Sequence, residues 1–295
     1  MSAFSKAWLF FAIALISTSA CQAPAILFLR AHEPVPASAM ATMALGSVAP
    51  SLVALCLWFL ERRSLHKQPP EPGTWSPPRW LLWTCALSFN PLAHLLGSGL
   101  LSLLGRNTAQ HVVYLPLTPE QLAIAIIAPL GEEFGFRGYA LPRLQARWSP
   151  LAASLCIGVV WAVWHIPTLL VPAARGTSSL ELWLYLLSFV AGSVVYTWFY
   201  NAGRGSMVAP LLAHFGIHAD NVFRASMLGD GVGPLAATAL CMTGMAVALV
   251  ATGQLRSATA VLYTPRAESS QARIVPPTTS SVAELDSGSF ERGTT

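Results

Sequence analysis

Eight stretches of this sequence, roughly 7–29, 38–60, 80–104, 121–142, 151–171, 181–200, 206–223 and 234–253, are apolar for about the length that crosses a bilayer. A hydrocarbon core about 30 Å thick takes about 20 residues of helix, against about 10 for a strand. Backbone amides in hydrocarbon must pair within their own segment or within a closed barrel. Runs of this length therefore specify helices. Composition supports the same reading: 54% of the 295 residues are apolar and 10% charged, where a soluble domain carries about 25% charged residues, and the mean hydropathy is +0.55. A soluble enzyme and a disordered chain are both excluded. The net charge of +4 contains no basic block, which argues against nucleic acid as a partner. The expected fold is all-α: a polytopic transmembrane bundle of about eight spans.

Loop charges orient the bundle. With the N-terminus inside, the inner segments hold twelve Lys and Arg residues and the outer loops four, namely Arg30, Arg106, Arg175 and Arg224. Positive charge favours the cytoplasmic face, so both termini are expected in the cytoplasm, with the cell (inner) membrane as location. Lys6 and the apolar run after it resemble a signal sequence, but the run continues past Cys21 to Arg30 and suits an uncleaved span. The organisation reads as 1–119, N-terminal spans with a proline-rich loop at 61–79; 120–256, a core carrying the polar motifs; and 257–295, a Ser/Thr-rich disordered tail.

Ionisable groups inside a bilayer cost about 2.5–3.5 kcal/mol each on insertion scales, so each is a functional candidate. Here they cluster. The fourth span holds Glu132, Glu133 and Arg137, the fifth Trp161 and His165, and the seventh His214, His218, Asp220 and Asn221. The fourth and seventh spans would score poorly on hydropathy alone. Glu133 and Arg137 are i, i+4 and can neutralise each other. Glu132 lies about 100° round the helix and must find partners on other helices, where the fifth- and seventh-span histidines are the plausible ones. His214, His218 and Asn221 form one stripe at i, i+4, i+7.

Spans 4, 5 and 7 therefore enclose a polar cavity suited to hydrolysis. Glu132 is the candidate general base, with His165 and His214 polarising a water and stabilising an oxyanion. Carboxylates shielded from water make better bases at neutral pH than hydrated ones. A polar network that only fixes helix packing is the plainer alternative.

The motifs resemble those of the CPBP family, intramembrane proteases related to the prenyl-protein CAAX endopeptidase. EExxxR is matched by Glu132, Glu133 and Arg137. An aromatic residue four before a histidine is matched by Trp161 and His165, with Trp where Phe is commoner. HxxxN is matched at His214, with His218 where Asn is usual. The resemblance covers about residues 120–225. It implies peptide-bond hydrolysis within the membrane, as in CAAX-box protein maturation, on a membrane protein or lipidated peptide. It gives essential roles to Glu132, His165 and His214. His218 puts the oxyanion-holding role of the usual Asn in question, although a neutral imidazole still donates one hydrogen bond. Asn221, one turn on, could take that part. Glu133 and Arg137 are expected to hold the motif helix in place.

No cofactor is expected, because Glu132 needs no metal to act as base where imidazoles neutralise the transition state. Zinc is the alternative, with His165, His214 and His218 plus a Glu as its ligands. HFGIH lacks the Glu of the HExxH zinc motif. Two other readings stand beside the protease. One is a non-catalytic membrane scaffold or immunity-type protein of the same fold; the other is a proton-coupled transporter, against which no internal repeat is visible.

Overall fold

The computed structural model describes residues 1–61, 77–105, 117–169, 179–227 and 232–256. The proline-rich stretch from 62 to 76 and the tail 257–295 lie outside the described residues. So do the side chains of His94, Asp220 and Asn221. Among the described residues every regular element is a helix: α1 (Ala3–Arg30), α2 (Ala37–Glu61), α3 (Arg79–Leu103), α4 (Pro119–Glu133), a π-helical stretch (Phe134–Ala140), α5 (Leu141–Gln145), α6 (Pro150–Leu169), α7 (Ser179–Ala202), α8 (Val208–Met227) and α9 (Val232–Ala251). The α4–π–α5 run is one pass, so the described residues make eight, at the positions expected from sequence.

Four helices are long and apolar enough on composition to span a membrane: Ala3–Arg30, Ala37–Glu61, Pro150–Leu169 and Leu182–Ala202. α4 and α8 are not among them, as their ionisable groups require. The side-chain distribution is inverted relative to a soluble protein. Phe59, Leu103, Ile124 and Ile127 are exposed, while Glu132, Glu133, Arg137, Arg143 and His214 are buried. Such a surface is stable only against lipid. The molecule is a polytopic helical membrane bundle.

Polar ties gather one end of the passes. Lys6 Nζ lies 3.3 Å and Arg143 Nη2 3.0 Å from Glu61 Oε2, and Tyr139 donates to Glu61 Oε1 at 2.6 Å. Nearby in sequence, Gln145 donates to Asn201 (3.3 Å), which donates to the carbonyl of Arg256 (2.7 Å). Residues 6, 61 and 143 thus meet, as do 145, 201 and 256. This is what an even number of up-and-down passes requires.

Helices in lipid associate by close backbone packing and interhelical hydrogen bonds, and this chain uses both. Gly131 and Gly135, one turn apart on the motif pass, lie against α2: an added Cβ would come within 2.8 Å of Val48 Cα at Gly131 and 2.7 Å of the Pro50 carbonyl at Gly135. Ser51 of α2 donates to the carbonyl of Leu130 at 2.7 Å. α4 is held between α2 on this side and α8 on the other. Gly158 packs equally closely on Val190 of α7, where Ser193 donates to the Ser154 carbonyl at 2.9 Å. Thr18 of α1 donates to the Gly46 carbonyl and accepts from Trp164 Nε1, tying α6 to α1 and α2. Gly135→Val drives methyl groups into the α2 backbone, and overpacking of this kind costs about 1–3 kcal/mol. The expected result is a lowered melting temperature in detergent; an unchanged melt would show that α2 can retreat freely.

Candidate active site

The motif pass starts from a firm cap. Thr118 accepts from the Gln121 amide, the Gln121 side chain accepts from the Thr118 amide, and Pro119 occupies the first turn, which together meet the orphan amides of the helix start. Fourteen residues on, the α-helical hydrogen bonding gives way to the π-helical stretch Phe134–Ala140. Such widened turns hold an extra residue and recur at functional sites. The two glutamates stand at its threshold and Arg137 lies within it.

Glu132 and Glu133 point to different partners. Arg137 Nη1 donates to Glu133 Oε1 at 3.0 Å, both side chains being fully buried, so the pairing expected from i, i+4 spacing is present. The same Oε1 receives His214 Nδ1 at 2.9 Å. The Arg137 guanidinium lies over the rings of Trp161 and Tyr196, at 4.8 and 5.1 Å from their centroids. Glu133 Oε2 and Arg137 Nε and Nη2 have no hydrogen-bond partner among the described residues. Glu132 is instead held by α6, where Trp161 Nε1 donates to its Oε2 at 2.6 Å.

α8 supplies the imidazoles. His214 and His218 stack at 5.1 Å with 19° between ring planes, and their Nε2 atoms are 3.2 Å apart. With His214 Nδ1–H donating to Glu133, its Nε2 carries a lone pair, and the His218 Nε2–H donates to it. One ligand atom from each of Glu132, His214 and His218 lies within 4.8 Å of the other two. This stretch of α8 is also braced from behind: Asn90 Nδ2 of α3 and Tyr196 OH of α7 donate to the Ala213 carbonyl at 2.6 and 3.3 Å, and Gly216 lets α8 approach the Leu87 carbonyl.

His165 sits differently. Its ring stacks on Phe189 at 4.0 Å, its Nδ1 is 2.9 Å from the Trp161 carbonyl of its own helix, and it is not part of the Glu132–His214–His218 group. Of the expected zinc ligands, His165, His214 and His218 plus a Glu, the donor set that fits a metal ion among the described residues holds His214, His218 and Glu132. Asn221 lies on α8 with its side chain outside the described residues.

Two contributors escaped the sequence. Asn90 and Tyr196 look like ordinary polar residues in apolar runs. Trp161 was visible as an aromatic, but its bond to Glu132 was not. A charge-assisted bond of this kind is worth about 1.5–3 kcal/mol. Trp161→Phe keeps the packing and removes the donor, so cleavage should fall about 10- to 100-fold with an unchanged melt. An equal rate would mean that the indole does not align Glu132.

Residues 115–219 match the family model described as type II CAAX prenyl endopeptidase Rce1-like. CAAX prenyl protease 2 of Methanococcus maripaludis is 30% identical over 99 residues, which cover 32% of this chain and 36% of that protein. The match thus spans about a third of the curated relative's length. The segment matched by the family model takes in Glu132, Glu133, Arg137, Trp161, His165, His214 and His218, on the three passes that carry the motifs. The segment 115–219 is thus similar to the Rce1-like type II CAAX prenyl endopeptidases.

Proposed function

We propose that this protein is an intramembrane endopeptidase that hydrolyses a peptide bond in a membrane-associated protein or lipidated peptide, with Glu132 as general base. The observation that carries the reading is the meeting of the buried Glu132 carboxylate with two imidazoles from another helix, within 4.8 Å and inside the bundle. A packing network has no need of a second buried carboxylate beside the Glu133–Arg137 ion pair.

In this mechanism a water oxygen attacks the scissile carbonyl while Glu132 takes one of its protons. Trp161 holds the other carboxylate oxygen and fixes the direction of the free lone pairs. The carbonyl oxygen becomes an oxyanion and accepts a hydrogen bond from His218 Nε2–H, which turns to it from the His214 Nε2 lone pair. Glu133 orients His214 through Nδ1, and Arg137 balances the second carboxylate. Collapse of the intermediate breaks the C–N bond, and Glu132 returns the proton to the departing amine. His165 acts at the cavity wall, on the water or the incoming peptide. The termini lie in the cytoplasm. No metal is required, because base and oxyanion donors come from side chains.

The test is cleavage by the purified chain in proteoliposomes, with prenylated and unprenylated forms of one membrane-tethered peptide, read by mass spectrometry. A single cut dependent on Glu132 supports the proposal, and the ratio between the two forms reports whether the lipid is recognised. A second reading, a non-catalytic scaffold, draws on His218 standing where the family has Asn. It predicts no cut of either peptide, and no gain on His218→Asn.

A further inference from the structure

The outer contacts around Glu132, His214 and His218 form a pattern that the protease mechanism does not need in full. His214 and His218 are one helical turn apart and turn the same ring atom, Nε2, toward each other at 3.2 Å. A tetrahedral ion binding two imidazoles at about 2.05 Å separates their nitrogens by about 3.3 Å, close to the spacing already present. A buried carboxylate from another helix completes a third ligand within 4.8 Å. Two of the three ligands, His214 and Glu132, also have the kind of second partner that metal sites use to fix orientation. Glu133 takes His214 Nδ1–H at 2.9 Å, leaving Nε2 as the lone-pair atom. The Trp161 indole takes Glu132 Oε2 at 2.6 Å. Formal charge favours a cation too, since two buried carboxylates face one guanidinium, Arg137.

We infer that Glu132, His214 and His218 form a site for a divalent transition-metal ion of zinc type, and that an ion there switches the protease off. The switch follows from the same carboxylate serving both roles. A Glu132 bound to a cation has lost the affinity for a water proton that general-base action needs. The ion also takes the place of the His218 Nε2 proton, removing the donor for the oxyanion. Without His218 only two ligands remain, so the device depends on the residue in which this chain departs from its family's motif.

The inference rests on the proposed active site, so its test reads binding separately from cleavage. The full-length chain in detergent, stripped with a chelator, is titrated with Co²⁺ alone and followed by its visible d–d absorption. One tetrahedral Co²⁺ per chain, displaced by Zn²⁺, is the expected result. Glu133→Gln should weaken binding about 10- to 100-fold, as loss of an outer-shell carboxylate does, and His218→Asn by at least as much. Glu132→Gln serves where His218→Asn fails to fold. Zn²⁺ at saturation should abolish cleavage by the wild type and spare whatever cleavage His218→Asn retains. Absence of stoichiometric Co²⁺ binding, binding undiminished in both ligand variants, or cleavage that rises with Zn²⁺ would each overturn the inference. Stoichiometric binding in a chain that cuts nothing would uphold the site and refute the protease.

Discussion

Glu132→Gln should lower the rate of peptide cleavage by about 10²- to 10⁴-fold, the usual contribution of a positioned general base, with no comparable loss of stability. Glutamine keeps the length and shape of the side chain, and its carbonyl can still accept from Trp161 Nε1, the contact that holds Glu132 on α6. What it lacks is affinity for the water proton. The measurement is the initial rate in proteoliposomes beside the thermal melt of the same preparation. A wild-type rate in this variant would remove Glu132 from the chemistry, and with it the hydrolytic reading of the cavity. A proton-coupled transporter makes a different forecast, in which the substitution abolishes proton flux into the liposomes and no peptide is ever cut.

Arg137→Met is expected to be the most damaging change to the bundle itself. The guanidinium is fully buried, bonded to Glu133 and packed between the faces of Trp161 and Tyr196. Methionine fills much of the volume but leaves the Glu133 carboxylate without its cation, and breaking one side of a buried pair costs about 3–5 kcal/mol. The melt should fall steeply and the yield of inserted protein with it. Arg137→Met combined with Glu133→Gln removes the stranded charge and should regain part of that loss. If the double variant melts no higher than Arg137→Met, the damage lies in ring packing instead of electrostatics. The folded fraction of the double variant should still cleave poorly, because His214 has lost the full carboxylate that orients it.

The passes were legible because bilayer thickness imposes one length on every span, and the expected and observed helices agree within a few residues. The Glu133–Arg137 pair was legible for a similarly local reason, since side chains four apart on a helix have few other ways to meet. The His214–His218 stripe follows from the same rule. What sequence could not convey depends on rotation between helices. Periodicity places Glu132 off the Arg137 face, but not which of α6 and α8 it meets, and it meets both. The stack of His165 on Phe189 was hidden as well, since Phe189 has no mark in the sequence to set it apart from other aromatics in an apolar run. The widened turn at Phe134–Ala140 is equally hidden, because a reading at 3.6 residues per turn assumes its absence. The family resemblance named Glu132, His214 and His218, which the fold brings together, without supplying these contacts.

That turn makes the motif pass sensitive to length more than to composition. Removing one residue between Phe134 and Ala140 would let the segment relax into ordinary α-helix and twist its two halves by about 100° against each other. One half is moored by Arg143 and Tyr139 at Glu61, the other by Gly131 on α2, so the two anchorages could not both survive. Single-codon deletions here should therefore be far less tolerated than conservative replacements at the same positions, and natural variation in this stretch should run to exchanges in place of gaps.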